Sequence, residues 1–212
     1  MKKLEASRAL PAGAPPWTGS DTELVAMVCS GHVHAAKWLH DRFARPITRV
    51  VFRILGGDAD HEDLVHEIFM RIWSLIAAGK VREPAALGGW VLSVATHILY
   101  KELRRRYVRQ RFLRRSESAP KAVAAIQDDE ARDILLAVYR ILADMPPAER
   151  LVFGLRYLDQ RKLADLAPMC GISVATAKRR LGKAERTFTN LIQRHGDYAA
   201  LRTLVPPKKR RG

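Results

Sequence analysis

The stretch Leu163-Ala164-Asp165-Leu166-Ala167-Pro168-Met169-Cys170-Gly171-Ile172-Ser173-Val174-Ala175-Thr176-Ala177-Lys178-Arg179-Arg180-Leu181 decides how this chain folds. It has the spacing of two helices joined at a tight corner, a helix-turn-helix. Ala167 is small enough to let the helices cross closely, and Gly171 permits a left-handed backbone in the turn. Ile172 plugs the corner and Ser173 caps the second helix. Beyond it, Ala177, Leu181, Ala184, Phe188 and Leu191 recur at steps of four and three as one core-facing stripe. The opposite side carries Thr176, Arg179, Arg180, Lys183 and Thr187, with Lys178 and Arg186 on the flanks. A helix apolar within and basic without suits the major groove, where Arg and Lys reach guanine O6 and N7 or the phosphates. A basic face alone is usually just solvated. The Gly-Ile-Ser turn with correct spacing on both sides is what favours groove insertion.

Working outward, Ile134 to Leu142 and Arg150 to Tyr157 are helical, separated by Met145-Pro146-Pro147, and with Leu163 to Met169 and Val174 to Arg194 they make a four-helix unit. Pro168 removes a backbone donor and should distort the last turn of its helix. Upstream, residues 114–131 turn to Ser, Ala and Pro and then Asp128-Asp129-Glu130, the composition of a linker. Before it, Ala35 to Leu55 places Trp38, Leu39, Phe43, Ile47, Val50, Val51, Ile54 and Leu55 on one face, with Pro46 expected to kink or divide the helix. His61 to Ala77 has a stripe of Leu64, Ile68, Ile72, Leu75 and Ile76, opposite Asp63, Glu67, Met70, Arg71 and Ser74. Ala78 to Gly89 is expected as a loop, and Trp90 to Tyr107 as a helix buried along Val91, Val94, Ala95, Ile98, Leu99 and Leu103. Residues 1–20 read as a disordered lead-in, with Ser20 or Asp21 capping a helix that starts at Thr22. No stretch alternates as a strand would. The chain is therefore expected to be all-α, two small helical bundles joined by a flexible linker: tail 1–20, first module 21–113, linker 114–131, second module 132–196 and basic tail 197–212.

The 212 residues carry 37 Lys and Arg against 22 Asp and Glu, a formal net charge of +15, which calls for a polyanionic partner. Part of the excess is concentrated in Lys101 to Arg115, where Tyr107 and Phe112 interleave with the cations. Such a helix can neutralise phosphates and offer faces to unstacked bases, or lie on a membrane surface. The second, independent DNA-reading motif makes DNA the common partner. No apolar run is long enough to span a membrane. The N-terminus lacks the apolar core of a secretory signal. The two cysteines, Cys29 and Cys170, suit a reducing cytosol rather than a disulfide framework.

Resemblances to catalytic sites fail on geometry. His61 and His66 stand five apart, so a helix rotates them by roughly 140° and they cannot share a metal as a zinc-protease pair does. Cys29, His32 and His34 lack a second cluster to complete a tetrahedral site. There is no phosphate-cradling loop, nucleophile elbow or outstanding carboxylate pair, so neither catalysis nor a cofactor or metal is expected.

Two longer signatures complete the reading. Asp58-Ala59 with Asp63-Leu64-Val65-His66-Glu67-Ile68-Phe69-Met70-Arg71-Ile72-Trp73, and Pro147-Ala148-Glu149-Arg150-Leu151-Val152-Phe153-Gly154-Leu155-Arg156-Tyr157, stand in that order before the helix-turn-helix. Together they resemble region 2 and region 4 of the bacterial sigma-70 family, in its small extracytoplasmic-function type. The resemblance implies a cytoplasmic, nucleoid-associated subunit that binds core RNA polymerase, reads the promoter minus-35 and minus-10 elements and promotes melting. It implies that Asp60, Asp63, Leu64, Glu67, Met70, Arg71 and Ser74 meet the clamp coiled coil of the largest polymerase subunit, and that the flap of the second-largest subunit is also a partner of the chain. It assigns Lys80, Arg82, Trp90, His97, Lys101, Arg104 and Arg105 to the melted minus-10 element. It assigns Ser173, Ala175, Thr176, Lys178, Arg179, Arg180 and Lys183 to the minus-35 element. An anti-sigma factor is a further candidate partner.

The chain departs from the pattern at His97, where Asn is usual, at Lys101, where Asp is common, and at Pro168, where an acidic residue is usual. The tail Pro206-Pro207-Lys208-Lys209-Arg210-Arg211 lies outside the family core and is expected to add nonspecific DNA affinity. The linker stretches to roughly 60 Å at about 3.3 Å per residue, a little under two DNA turns of about 34 Å. The competing readings are a stand-alone helix-turn-helix regulator, which would not need the Asp63 to Trp73 face, and a recombinase or nuclease, which would need the missing nucleophile or metal cluster.

Overall fold

The computed structural model describes residues 15–56, 60–113 and 128–194, and among these every regular element is helical. The helices are α1 (Asp21–Cys29), α2 (Ala35–Leu55), α3 (His61–Ala77), α4 (Leu87–Leu113), α5 (Asp129–Asp144), α6 (Pro147–Phe153), α7 (Leu163–Met169) and α8 (Val174–Arg194). The all-α class and the order of two helical modules are as the sequence implies.

Several boundaries differ from expectation, each for a local reason. Helix α1 starts at Asp21, because Ser20 and Glu23 close a reciprocal capping box around its first turn. Part of the expected disordered lead-in is ordered. The Trp17 ring packs on Trp38 with centroids 4.8 Å apart, and Trp38 Nε1 donates to the Pro15 carbonyl at 2.8 Å. Pro46 does not divide α2, which runs unbroken from Ala35 to Leu55. The buried residues Phe43, Ile47 and Val50 on either side of it hold the helix to the core against the loss of one backbone bond. Gly56 ends α2 at φ +89°, its N–H returning to the Phe52 carbonyl at 2.7 Å.

The expected loop 78–89 is shorter. After Gly79 at φ +67° and a 3₁₀ turn at Pro84–Ala86, α4 begins at Leu87, so Gly88 and Gly89 lie in its first turn. The fully buried Leu87 anchors that start. At the other module, α5 begins inside the segment assigned to the linker. The Asp128 carboxylate accepts from Glu130 N and Ala131 N at 3.0 and 3.3 Å, so the acidic triplet is a helix cap. Pro147 opens α6 at a first-turn position, three residues before the expected start, and a single π-type turn, Gly154–Leu158, follows it. Asp58, Ala59 and the basic tail lie outside the described residues.

Among the described residues, the apolar side chains form two cores. The outer one joins Ala137, Ile141 and Leu142 of α5 to Phe153 of α6 and to Ala184, Phe188 and Ile192 of α8. Ile192, not Leu191, completes the buried stripe of α8. The larger core starts in α1–α4 and continues without a break into Leu151, Val152 and Leu155, then into Leu166, Ala167, Met169, Ala177 and Leu181 of the helix-turn-helix. The two modules are thus packed against each other.

Candidate nucleic-acid and polymerase interfaces

The corner of the helix-turn-helix is built as its residues dictate. Gly171 sits at φ +63°, and Ile172 N donates to the Ala167 carbonyl at 3.0 Å. Ser173 Oγ accepts from Thr176 N at 3.2 Å and so caps α8. Pro168 occupies the last turn of α7, and its carbonyl accepts from Gly171 N at 3.0 Å.

The seven residues assigned to the minus-35 element are not equivalent. Ala175, Lys178 and Arg179 are exposed on α8. Ser173 is exposed but engaged in the cap, and the half-buried Thr176 exchanges a 2.9 Å hydroxyl bond with it. Lys183 is exposed, yet its Nζ lies 2.8 Å from Glu149 Oε1, and Glu149 is buried at the start of α6 with its other oxygen accepting from Thr187 Oγ1 at 2.6 Å. Arg180 is half-buried and faces the first module.

On α4, His97, Lys101 and Arg104 are exposed. Arg105 is exposed as well, but its guanidinium is gripped by Glu102 through bonds of 2.7 and 2.9 Å. Those bonds and the carboxylate charge hold its pKa above the ordinary arginine range. Glu102, itself buried, also takes Arg106 Nε at 2.6 Å. Lys80 and Arg82 are exposed in the turn before α4, away from these side chains in sequence, and Trp90 is half-buried.

On α3, Asp63, Glu67, Met70, Arg71 and Ser74 share the solvent-facing side, as a docking face requires. Leu64 does not belong to it. It is 6% exposed and part of the core stripe with Ile68, Ile72 and Ile76. Asp60 is exposed and faces Arg106 at 3.6 Å.

Where the modules meet, a cleft of about 520 Å³ brings Arg71, Trp90, His97, Lys101 and Arg180 to one place. Cys170 lies in its wall, and burial pushes the thiol up to about 11, which leaves it protonated and unreactive at neutral pH. Among the described residues no group of three His, Cys, Asp or Glu side chains is placed to hold a metal ion, and no helix is long and apolar enough to cross a membrane.

Sequence reasoning missed three buried carboxylates that organise the cations: Glu102, Glu149 and Asp159. Glu102 stood in plain sight as the one acid of the basic block. Asp159 follows the π-type turn and belongs to no periodic pattern that could have singled it out.

Two family models match the chain: "Sigma-70 region 2" over residues 39–109 and "Sigma-70, region 4" over residues 135–188, together more than half of it. The chain is 27% identical over 166 residues to a probable RNA polymerase sigma factor, RfaY, of Xanthomonas campestris, an alignment covering 72% of this chain and 39% of that protein. It is 29% identical over 161 residues to the ECF RNA polymerase sigma factor SigL of Mycobacterium tuberculosis, covering 74% of this chain and 89% of SigL. Among solved structures, CnrH in complex with the cytosolic domain of CnrY shares the fold with a TM-score of 0.55 at 20% identity, covering 82% of this chain and 98% of that one. RpoE of Bartonella quintana, in complex with the anti-sigma factor NepR, has a TM-score of 0.52 at 18% identity, covering 74% and 96%. With both regions matched in order over the helices that carry the exposed acidic face and the capped helix-turn-helix, the chain belongs to the sigma-70 family of RNA polymerase sigma factors, in its extracytoplasmic-function type.

Proposed function

We propose that this chain binds core RNA polymerase and directs it to promoters whose minus-35 and minus-10 elements it reads with separate modules, α5–α8 for the minus-35 element and α1–α4 for the minus-10 element. One observation carries the reading: a single chain presents both an exposed acidic face on α3, with Met70 38% exposed at its centre, and a capped helix-turn-helix with free cations. A stand-alone DNA-binding regulator has use for the second alone. The α3 face would grip the clamp coiled coil, an association that its charges steer and Met70 seals. Exposed Lys178 and Arg179 would enter the minus-35 major groove. Trp90, His97, Lys101 and Arg104 would take the unstacked minus-10 strand, where ring stacking and phosphate neutralisation offset a few kcal/mol of lost base stacking. The flap of the second-largest subunit, and an anti-sigma protein of the kind held by RpoE of Bartonella quintana, are the further partners this reading includes, and the cytoplasm is its compartment.

Run-off transcription with purified core polymerase and a promoter pool is the test. Start-site-specific transcripts are expected, and their absence with every template would defeat the reading. Asp63→Arg with Glu67→Arg should abolish co-elution with core polymerase while the chain still binds duplex DNA. Retained co-elution would remove the α3 face from the interface.

A further inference from the structure

We propose that the cleft where the modules meet is a binding site for a free nucleoside di- or triphosphate. The proposal stands on the chemistry of the cleft and does not rest on the promoter-factor reading.

Charge is the first ground. Arg71 of α3, Lys101 of α4 and Arg180 of α8 reach the cleft from three helices, and no Asp or Glu lines it. Among the described residues, none of these three cations has a carboxylate within ion-pair distance. Elsewhere the fold gives such gatherings an acid of their own. Glu102 takes up Arg105 and Arg106, and Glu149 takes up Lys183. On the same junction the fully buried Asp159 lies 3.2 Å from Arg49 Nε and 3.4 Å from Arg53 Nη1 of α2, with Arg161 Nε at 2.6 Å. The cations of the cleft lack that compensation, so they repel one another, and an anion entering between them relieves the repulsion. A single phosphate carries about −1.5 to −2 at neutral pH, too little for three cations, whereas two or three linked phosphates match them.

Shape and lining are the second ground. A volume of about 520 Å³ lies within the ~300–1,000 Å³ of small-molecule sites. On α4, Trp90, Val94, His97 and Lys101 follow at steps of four, three and four, one line of about 16 Å with an indole at one end and an ammonium at the other. Ser93 Oγ lies 3.5 Å from the Pro168 carbonyl, so the corner of the helix-turn-helix covers the Trp90 end and brings Met169 and Ile172 into its wall. A flat base seats there, between the indole and this apolar wall, with its phosphates running towards Lys101. Covered by the corner, the cleft admits a ligand that ends inside it and not a strand that must pass through.

The test uses the full chain with ATP, GTP, inorganic tripolyphosphate, guanosine and an unphosphorylated single-stranded decanucleotide. Equilibrium dialysis reads affinity. Maleimide labelling reads location, run at about pH 9, where a thiol of pKa about 11 is still about one per cent thiolate. Cys170 lies in the cleft wall, and the exposed Cys29 is the internal reference. At least one of the two nucleotides is expected to bind at least about tenfold tighter than tripolyphosphate or guanosine, and to slow labelling of Cys170 but not of Cys29. Arg71→Ala with Arg180→Ala should weaken that binding at least about tenfold, while Arg140→Ala, which removes an exposed cation of α5 outside the cleft, leaves it unchanged. Trp90→Ala should weaken the nucleotide about fivefold or more and spare tripolyphosphate. No saturable nucleotide binding below about 1 mM, or binding that leaves Cys170 unshielded, overturns the site. Tripolyphosphate binding as tightly as the nucleotide, or an equal loss in Arg140→Ala, reduces it to diffuse charge and overturns it too. A decanucleotide that shields Cys170 as well as the nucleotide does would make the cleft a strand site and overturn the free ligand. Run-off transcription reports on the promoter-factor reading separately.

Discussion

The basic helix α4 and the recognition helix α8 show the same crowding of Arg and Lys in sequence, but the two modules treat these charges differently. In α4 a buried acid of the same helix, Glu102, takes up its neighbours Arg105 and Arg106. In α8 the acid comes from another helix, as Glu149 of α6 takes up Lys183 and leaves Lys178 and Arg179 exposed. The first arrangement stiffens a helix by pairs at i+3 and i+4. The second fixes the position of one helix against another while keeping its leading turn free for a ligand. Counting cations along a chain cannot separate these roles; the position of the nearest buried carboxylate does.

The largest effect that follows is at Glu102. Replacing it with Ala strips the closest carboxylate from Arg106, whose side chain is 9% exposed, and such a break costs about 3–5 kcal/mol. Urea unfolding should show this loss, and a loss within the range of a surface pair would mean that α4 spends its charges no differently from α8. Glu149→Ala should cost less, about 1.5–3 kcal/mol, because Lys183 can turn to water and only the Thr187 hydroxyl loses a buried partner. The same variant should free Lys183. If Lys183→Ala then weakens duplex binding more in the Glu149→Ala background than in the parent chain, the pair is a restraint on that cation.

The comparison sharpens further on DNA. Arg179→Ala should weaken binding to a promoter duplex by about 1–3 kcal/mol and relax sequence preference, whereas Lys183→Ala should lose less, its charge being already neutralised. Equal losses at both positions, and equal losses on random duplex, would assign both to phosphates.

How much of this was legible in the sequence follows from the range of the interactions. The stripe from Trp38 to Leu55, the Gly171 corner and the Ser173 cap depend on neighbours within a few residues, and they stand where periodicity and cap chemistry placed them. The exposed face of α3 was legible for the same reason, apart from Leu64, which the acidic signature drew in although its step to Ile68 marks it as core. What escaped depends on distant partners: Trp17 on Trp38, Glu149 on Lys183, and Asp159 on two arginines more than 100 positions earlier. No local pattern encodes which acid will be buried. Pro46 and the Gly88-Gly89 pair misled in the opposite direction, because tertiary packing overrode a sound local rule.

The smallest expected effect concerns a carboxylate that is not buried at all. Glu23 accepts from Ser20 N at 2.7 Å and from Ser20 Oγ at 2.8 Å, and these bonds hold its pKa below the ordinary glutamate value despite full exposure. A group whose pKa falls on folding stabilises the fold above its unfolded pKa and gives that up as pH drops through the folded value. Ser20→Ala should therefore lower stability at neutral pH by about 0.5–2 kcal/mol, the usual worth of a helix cap. In Glu23→Gln the acid-side slope of stability should flatten, since a neutral amide has no proton to gain. If parent and Glu23→Gln chains lose stability in parallel on acidification, the box acts through Ser20 alone, and the buried acids Glu102, Glu149 and Asp159 remain as the organisers of charge in this fold.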